Sequence, residues 1–370
     1  MPRKPLTSTI RYSRIYDEQI RQAILQLREE GHEVAVRVTW DSGDVDHFVR
    51  EALQLQDGTG YDTLVAGGGD GTLNELVAAL LKHDAPCHIS VAQLPLGTAN
   101  DLASAAGISL LQAPLDALRL ALDPSTAHPI DVALVNGEVF MNLATAGPVS
   151  EVSSKGMSDA SKKLLGPAAV AVAGLHQLLF KGLQPVEGVT LTLPNTPDIK
   201  HDSYTPDQVS VLSGDLLVLA AGQARQMARL LNVCPDALLD DGLIDFTLLF
   251  GSPGKQAAAL ASEVVASGLS QAQGGVRLLR LPWLIVEAPH GLKCNRDGEP
   301  SATSNRLVFE QKRSMKTGSK PRPRLLLDLW AAQQPPGRLS RLLPRLQKAA
   351  GRAVAVAGLL AAGFIAGYHW

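Results

Sequence analysis

The chain of 370 residues carries only three cysteines, Cys87, Cys234 and Cys294. Scattered singly, they build neither a disulfide framework nor a paired metal-ligand spacing, which points to a reducing compartment. The nine histidines include no H-E-x-x-H, so a zinc site has no support. Aromatic residues are 4% of the chain. That is few for a surface that stacks on bases, and nucleic acid is not expected as a partner. Met1–Arg14 has no apolar run of the secretory kind, so export is not expected and a cytoplasmic chain is. No lysine follows the one strongly glycine-rich turn, which excludes a Walker-type loop.

What is present is a large apolar fraction, 45%, against 19% charged residues. A sizeable core can form, and the length allows two domains or three. The net charge of -2 conceals an asymmetry. Residues 311–370 hold eleven Lys or Arg and one acid, leaving 23 basic against 35 acidic residues in the preceding body. An acidic body followed by a basic tail is the pattern of an interaction segment or of a solvated extension. Within the tail, Arg338, Arg341, Arg345, Lys348 and Arg352 recur at helical spacing, interrupted by Pro344. Such a face suits an anionic membrane surface or a helix docked on the body. Ala353–Trp370 is free of formal charge but half Ala and Gly, a marginal candidate for a membrane-associating or membrane-spanning helix.

Residues 1–130 alternate between helical and strand periodicities. Asp17–Glu30, Val45–Gln56, Thr72–Lys82 and a stretch opening at Asp101 read as helices. Glu33–Thr39, Tyr61–Ala66 and His88–Leu94 read as strands. That order predicts a parallel sheet covered on both faces. From residue 131 to about 311 the pattern turns mainly to strands: Pro129–Leu134, Val139–Ala144, Val189–Leu193, Asp215–Ala220, Leu243–Phe250, Trp283–Glu287 and Leu307–Glu310. Only Lys162–Lys181 and Gly254–Ser270 look helical there. The expected organisation is an α/β domain over 1–130, a β-rich domain over 131–311 and a basic tail over 312–370.

Four loops carry the chemistry. Ala66–Glu75, AGGGDGTLNE, joins a strand to a helix. Missing Cβ atoms and the free amides of a helix N-terminus favour phosphate, while Asp70 beside phosphate calls for a cation or hydrogen bonds. Thr72 and Glu75 also fit a T-x-x-E capping box, which needs no ligand. Leu94–Asp101 follows the next strand and offers Thr98, Asn100 and Asp101, or merely a helix cap. Cys234–Leu243 gathers Asp236, Asp240 and Asp241, suited to a hard cation or to a plain Asp-Gly turn. Asn295–Pro300 holds the hairpin signal Asp297-Gly298 and, next to it, Glu299, a candidate general base or a surface acid. Rich in acids and poor in His, the set fits metal-assisted phosphoryl transfer better than a Ser-His-Asp triad.

Taken together, Gly67–Glu75, Pro95–Leu102, Cys234–Leu243 and Asp297–Pro300 resemble, in order and spacing, the diacylglycerol kinase catalytic-domain family, nearest its bacterial YegS-type lipid kinases. The resemblance runs from about Glu29 to Glu310. It implies an N-terminal α/β domain of the NAD-kinase and diacylglycerol-kinase type with a parallel sheet, and a C-terminal β-sandwich domain, with ATP between them. It implies ATP contacts at Thr39, Gly69, Asp70, Gly71, Thr72, Leu73, Asn74, Glu75 and Thr98. It implies Mg²⁺, with Ca²⁺ as the alternative, at Asp241 and at the main-chain oxygens of Leu238 and Leu243, and it implies Glu299 as the base that deprotonates a lipid hydroxyl. The opening departs from the family: Leu6–Tyr16 is polar, carries Arg11 and Arg14, and lacks the family's Asn. The expectation is therefore an ATP- and Mg²⁺-dependent kinase of a phosphatidylglycerol- or diacylglycerol-like lipid at the inner face of the cell membrane. The alternatives are a soluble kinase of a nucleotide or sugar, and a catalytically silent, membrane-associated nucleotide sensor.

Overall fold

The computed structural model describes residues 5–11, 18–54, 61–86, 89–97, 100–105, 114–148, 150, 184–227, 231–251, 276–312 and 324–326. The expected helices at 162–181 and 254–270, Thr98, and the basic and apolar stretches after residue 326 lie outside the described residues.

The first third of the chain alternates, with α1, β2, α2, β3, α3, β4 and α4 near their expected places and β1 and α5 not announced by the periodicity: β1 Pro5–Arg11, α1 Glu18–Glu29, β2 Glu33–Thr39, α2 Asp44–Gln54, β3 Thr63–Gly68, α3 Asp70–Lys82, β4 Ser90–Pro95, α4 Asp101–Ala105, α5 Pro114–Leu122 and β5 Ala127–Pro129. Strands β2, β1, β3 and β4 lie side by side in that order, all parallel. The sheet is buried on both faces because side chains alternate along each strand. Leu64 and Ala66 of β3 face α2 and α3, with Val45, Val49, Leu73, Leu76 and Leu80. Val65 faces the opposite layer, with Ile20, Ile24 and Leu27 of α1 and Leu118 of α5. The polar opening segment is thus an inner strand: Pro5–Arg11 pairs with β2 on one side and β3 on the other.

The chain then passes from the first sheet to a second within a few residues. The predicted single strand Pro129–Leu134 is two: β5 ends at Pro129 in the first sheet and β6, Val132–Val135, begins the second. Buried Asp131 sits between them, its N–H donating to Leu239 O at 2.7 Å. The predicted Val139–Ala144 is likewise two, β7 Glu138–Phe140 and β8 Leu143–Ala146. The break falls at Met141 and Asn142, whose N–H groups go to the Asp297 carboxylate.

The second sheet continues through β9 Val186–Pro194, β10 Val209–Gly222, β13 Ile244–Phe250, β14 Val276–Leu281, β15 Trp283–Leu292, β16 Cys294–Arg296, β17 Glu299–Pro300 and β18 Ser304–Lys312. Between β10 and β13, β11 Gln226–Met227 and β12 Leu231–Asn232 form a small separate ribbon. All pairings of the eleven-stranded sheet are antiparallel. Its strands enclose one core. Phe309 there meets Phe140 and Phe246 edge-on, with ring centres 6.4 and 5.7 Å away. A last strand, β19 Arg324–Leu326, returns to the first sheet between β4 and β5. The chain falls into two units, and Met1–Asp328, which holds both sheets, is compact in itself. The α2–α3 core continues into Ile130, Val132, Leu134, Val139 and Met141, so the α/β layer and the antiparallel sheet share apolar packing.

Candidate active site

In an open parallel sheet, ligands settle outside the carboxyl ends of the strands. Three of the predicted segments lie at that edge: Thr39 at the end of β2, the glycine turn after β3 and the loop that follows β4. The two loops are packed backbone against backbone. Leu96 N–H donates to Gly68 O at 3.0 Å. A Cβ on Gly97 would overlap Gly69 Cα and come within 2.7 Å of Asn100 Oδ1; one on Gly68 would lie 2.7 Å from Thr72 Cβ. These glycines are required by the protein's own packing. Gly71 differs, since a Cβ there meets nothing within 4 Å. Gly71 therefore borders open space at the start of the thirteen-residue α3, where backbone N–H groups favour an anion.

Helix α3 begins at Asp70 with Gly69 as its N-cap and no side-chain cap. The expected Thr72–Glu75 capping box is therefore not formed. Thr72 is already inside the first turn and buried, and Glu75 is exposed. Leu73 is wholly buried in the core, which leaves only its main chain for a ligand. Asp70 instead caps the neighbouring loop. Its carboxylate accepts the N–H groups of Asp101 at 3.0 Å and Leu102 at 3.3 Å. Hydrogen bonds thus answer the question of how a carboxylate stands at a phosphate-type turn. Asn100, at φ +48°, folds its loop by accepting from Gly97 N at 3.0 Å and donating to Gly97 O at 2.8 Å.

Asn74 lies one turn further along α3. Its amide donates to Val139 O at 3.0 Å and to Asp297 Oδ2 at 2.8 Å. Asp297 opens the turn between β16 and β17, again in the left-handed region at φ +48°. Its carboxylate also accepts from Met141 N at 2.7 Å, Asn142 N at 2.9 Å and Leu143 N at 2.9 Å. Burial pushes this carboxyl above its ordinary range while the N–H donors pull it down. Asn142 reaches back to the nucleotide-type loop, donating to Asp101 Oδ2 at 3.3 Å. Glu299, two residues beyond Asp297, is exposed. The hairpin below it is further held by Arg296, which bonds Ser301 Oγ at 3.0 Å, Val139 O at 3.3 Å and Glu138 at 2.8 Å.

The acidic loop sits on the other side of Asp131, whose carboxylate accepts the Gly242 N–H. Asp241 accepts from Leu243 N at 3.0 Å and pairs with Arg280, which also lies 3.4 Å from Asp245. Leu238 is exposed and Leu243 half-buried. One carboxylate and two main-chain oxygens are a donor set suited to a hard cation. In this structure the Asp241 carboxylate pairs with Arg280. No group of three or more His, Cys, Asp or Glu is gathered for a metal among the described residues.

Several of these roles were not visible in the sequence. Asp297 reads there only as a turn signal, because the three amides it collects lie some 155 residues upstream. Asp131 and Asp245 did leave a trace, each a lone acid inside an apolar run.

The sequence profile of the diacylglycerol kinase catalytic domain matches residues 13–135. A Pseudomonas aeruginosa protein named "Probable lipid kinase YegS-like" is 41% identical over 285 residues, 77% of this chain and 84% of that one. This chain belongs to the diacylglycerol kinase catalytic-domain family. A relative of the same name from Alcanivorax borkumensis is 36% identical over 287 residues, covering 77% of this chain and 86% of its own. The crystal structure of a diacylglycerol kinase from Bacillus anthracis superposes with a TM-score of 0.62 at 16% identity, over 88% of this chain and 97% of that one. That likeness bears on the fold, which it shares: an N-terminal α/β domain with a parallel sheet and a C-terminal antiparallel sheet domain.

Two predictions follow from the geometry. Gly97→Ala forces the two loops apart and costs about 1–3 kcal/mol of stability. Gly71→Ala, with open space and a helical backbone, leaves the melting temperature unchanged or higher; calorimetry on both variants reads the contrast. The second concerns Asp245, whose carboxyl burial pushes up to about 6. A raised folded pKa stabilises below the unfolded value, and that contribution is lost as pH rises through the folded one. Without divalent cations, the stability difference between Asp245→Asn and the native chain therefore moves toward the variant between pH 4 and 7, by at most about 3 kcal/mol. Denaturant titrations at stepped pH measure it, and a flat difference contradicts it.

Proposed function

We propose that the protein is an ATP- and Mg²⁺-dependent lipid kinase that phosphorylates a hydroxyl of a membrane lipid at the cytoplasmic face of the membrane. The observation that carries this reading is the Asn74–Asp297 bond. It brings the helix opening at the glycine turn together with the hairpin that bears Glu299. An anion-binding helix terminus and a carboxylate base are what phosphoryl transfer to an alcohol needs. The names of the relatives favour lipid as the class of acceptor.

In this reading ATP phosphates lie against the open side of Gly71 and the first amides of α3. Thr39, Gly69 and the Pro95–Asp101 loop frame the nucleotide. Asp241 with the main-chain oxygens of Leu238 and Leu243 would hold Mg²⁺, which neutralises charge on the phosphates when bound. Glu299 takes the proton from the acceptor hydroxyl as its oxygen attacks the γ-phosphorus, and ADP departs. Exposure of Glu299 leaves room for a bulky acceptor arriving from a membrane. Among the described residues no helix is long and apolar enough to cross a membrane. The basic residues between 338 and 352 in the sequence are the candidates for contact with anionic lipid.

The test uses full-length protein, γ-labelled ATP, Mg²⁺ and a total bacterial lipid extract, with products resolved by chromatography. A labelled lipid is expected. Glu299→Gln should lower its formation about 10²–10⁴-fold while ATP binding persists. ATP binding with no labelled lipid would overturn the lipid-kinase reading in favour of a soluble acceptor or a silent sensor.

A further inference from the structure

A carboxylate that the catalytic reading leaves without a task is the best-connected side chain of the site. Asp297 accepts two N–H donors on each oxygen: Met141 N and Asn74 Nδ2 on Oδ2, Asn142 N and Leu143 N on Oδ1. Its own N–H donates to Leu143 O at 2.9 Å, and Asn295 Oδ1 accepts from Gly298 N at 3.0 Å. An amide could not replace this carboxylate, because an NH₂ group would point at N–H donors.

The bond partners define what this side chain connects. Asn74 lies one turn after Asp70 on α3, the helix whose first amides face the open space at Gly71. The amides of Met141 and Asn142 lie in the break between β7 and β8, that of Leu143 opens β8, and Asn142 continues to Asp101 of the second loop. Glu299 follows Asp297 by two residues. Any shift of the hairpin would thus carry Glu299 away from the helix terminus, and Asp297 is what resists that shift. Displacement of a reacting group by about 1 Å costs on the order of 100-fold in rate.

We propose that Asp297 is a positioning residue: through Asn74 its carboxylate locks the hairpin bearing Glu299 to the helix that presents the nucleotide-binding amides. The inference rests on the reading of Glu299 as base. Asp297 touches neither nucleotide nor acceptor; it holds Glu299 in register with them.

The decisive experiment is a double-mutant cycle in the labelled-lipid assay, with nucleotide affinity measured alongside by equilibrium binding. Asp297→Asn is expected to lower kcat about 100-fold and leave ATP affinity within about twofold. In a Glu299→Gln background the same change should cost less than about twofold, since a positioning residue has nothing left to position. Should Asp297→Asn fail to fold, Asn74→Ala removes the bond from its other end and should show the same loss and the same non-additivity. Losses that multiply across the two sites, or that appear in ATP affinity instead of kcat, would overturn the proposal. Full activity of Glu299→Gln alone would remove the base first, a result read in that single variant, and the proposal would fall with it.

Discussion

One enclosed carboxylate governs how the two halves of this site face each other. Asp297 gathers three successive backbone amides, from the break between β7 and β8 and the first residue of β8, and one side-chain amide from α3. Backbone N–H groups deprived of a strand partner must be satisfied elsewhere. Here they are satisfied by a carboxyl group from a hairpin some 155 residues further on. The antiparallel sheet is fastened to α3 by the Asn74 bonds to Asp297 and Val139 as well as by the apolar contacts of Ile130, Val132, Val139 and Met141.

The acids of the site divide by partner. Asp70 and Asp297 are acceptors for N–H groups, and so are structural before they are chemical. Asp241 and Asp245 face Arg280, in a charged cluster whose donors also suit a hard cation. Glu299 stands exposed. Similar residues thus have unlike tasks, set by what surrounds them. The glycines divide in the same way: Gly69 and Gly97 let two loops touch and Gly68 makes room for Thr72, whereas Gly71 borders space.

Much of this was legible in the sequence. The alternation through β2, α2, β3, α3 and β4 stands out because both periods are strong and local. The four loops are readable because glycine and acids at fixed spacing are a local signal. What escaped is non-local. Pro5–Arg11 looks too polar for an inner strand, yet it pairs on both sides. Val139–Ala144 reads as one strand because nothing nearby announces that Met141 and Asn142 bond to Asp297. Thr72 and Glu75 mimic a cap, but the glycine contacts start the helix two residues earlier. Arg324–Leu326 joins the first sheet from the far end of the chain, a pairing that no local pattern encodes.

The most direct check on the junction is amide hydrogen exchange at Met141, Asn142 and Leu143 in the native chain and in Asn74→Ala. Met141 and Asn142 sit in a short break between strands and Leu143 at the very start of β8, where unbonded amides would exchange rapidly. Slow exchange comparable to that of β8, accelerated selectively at these amides in the variant, is the result that the Asp297 lock requires. Rapid exchange in the native chain, as for an open loop, would contradict it.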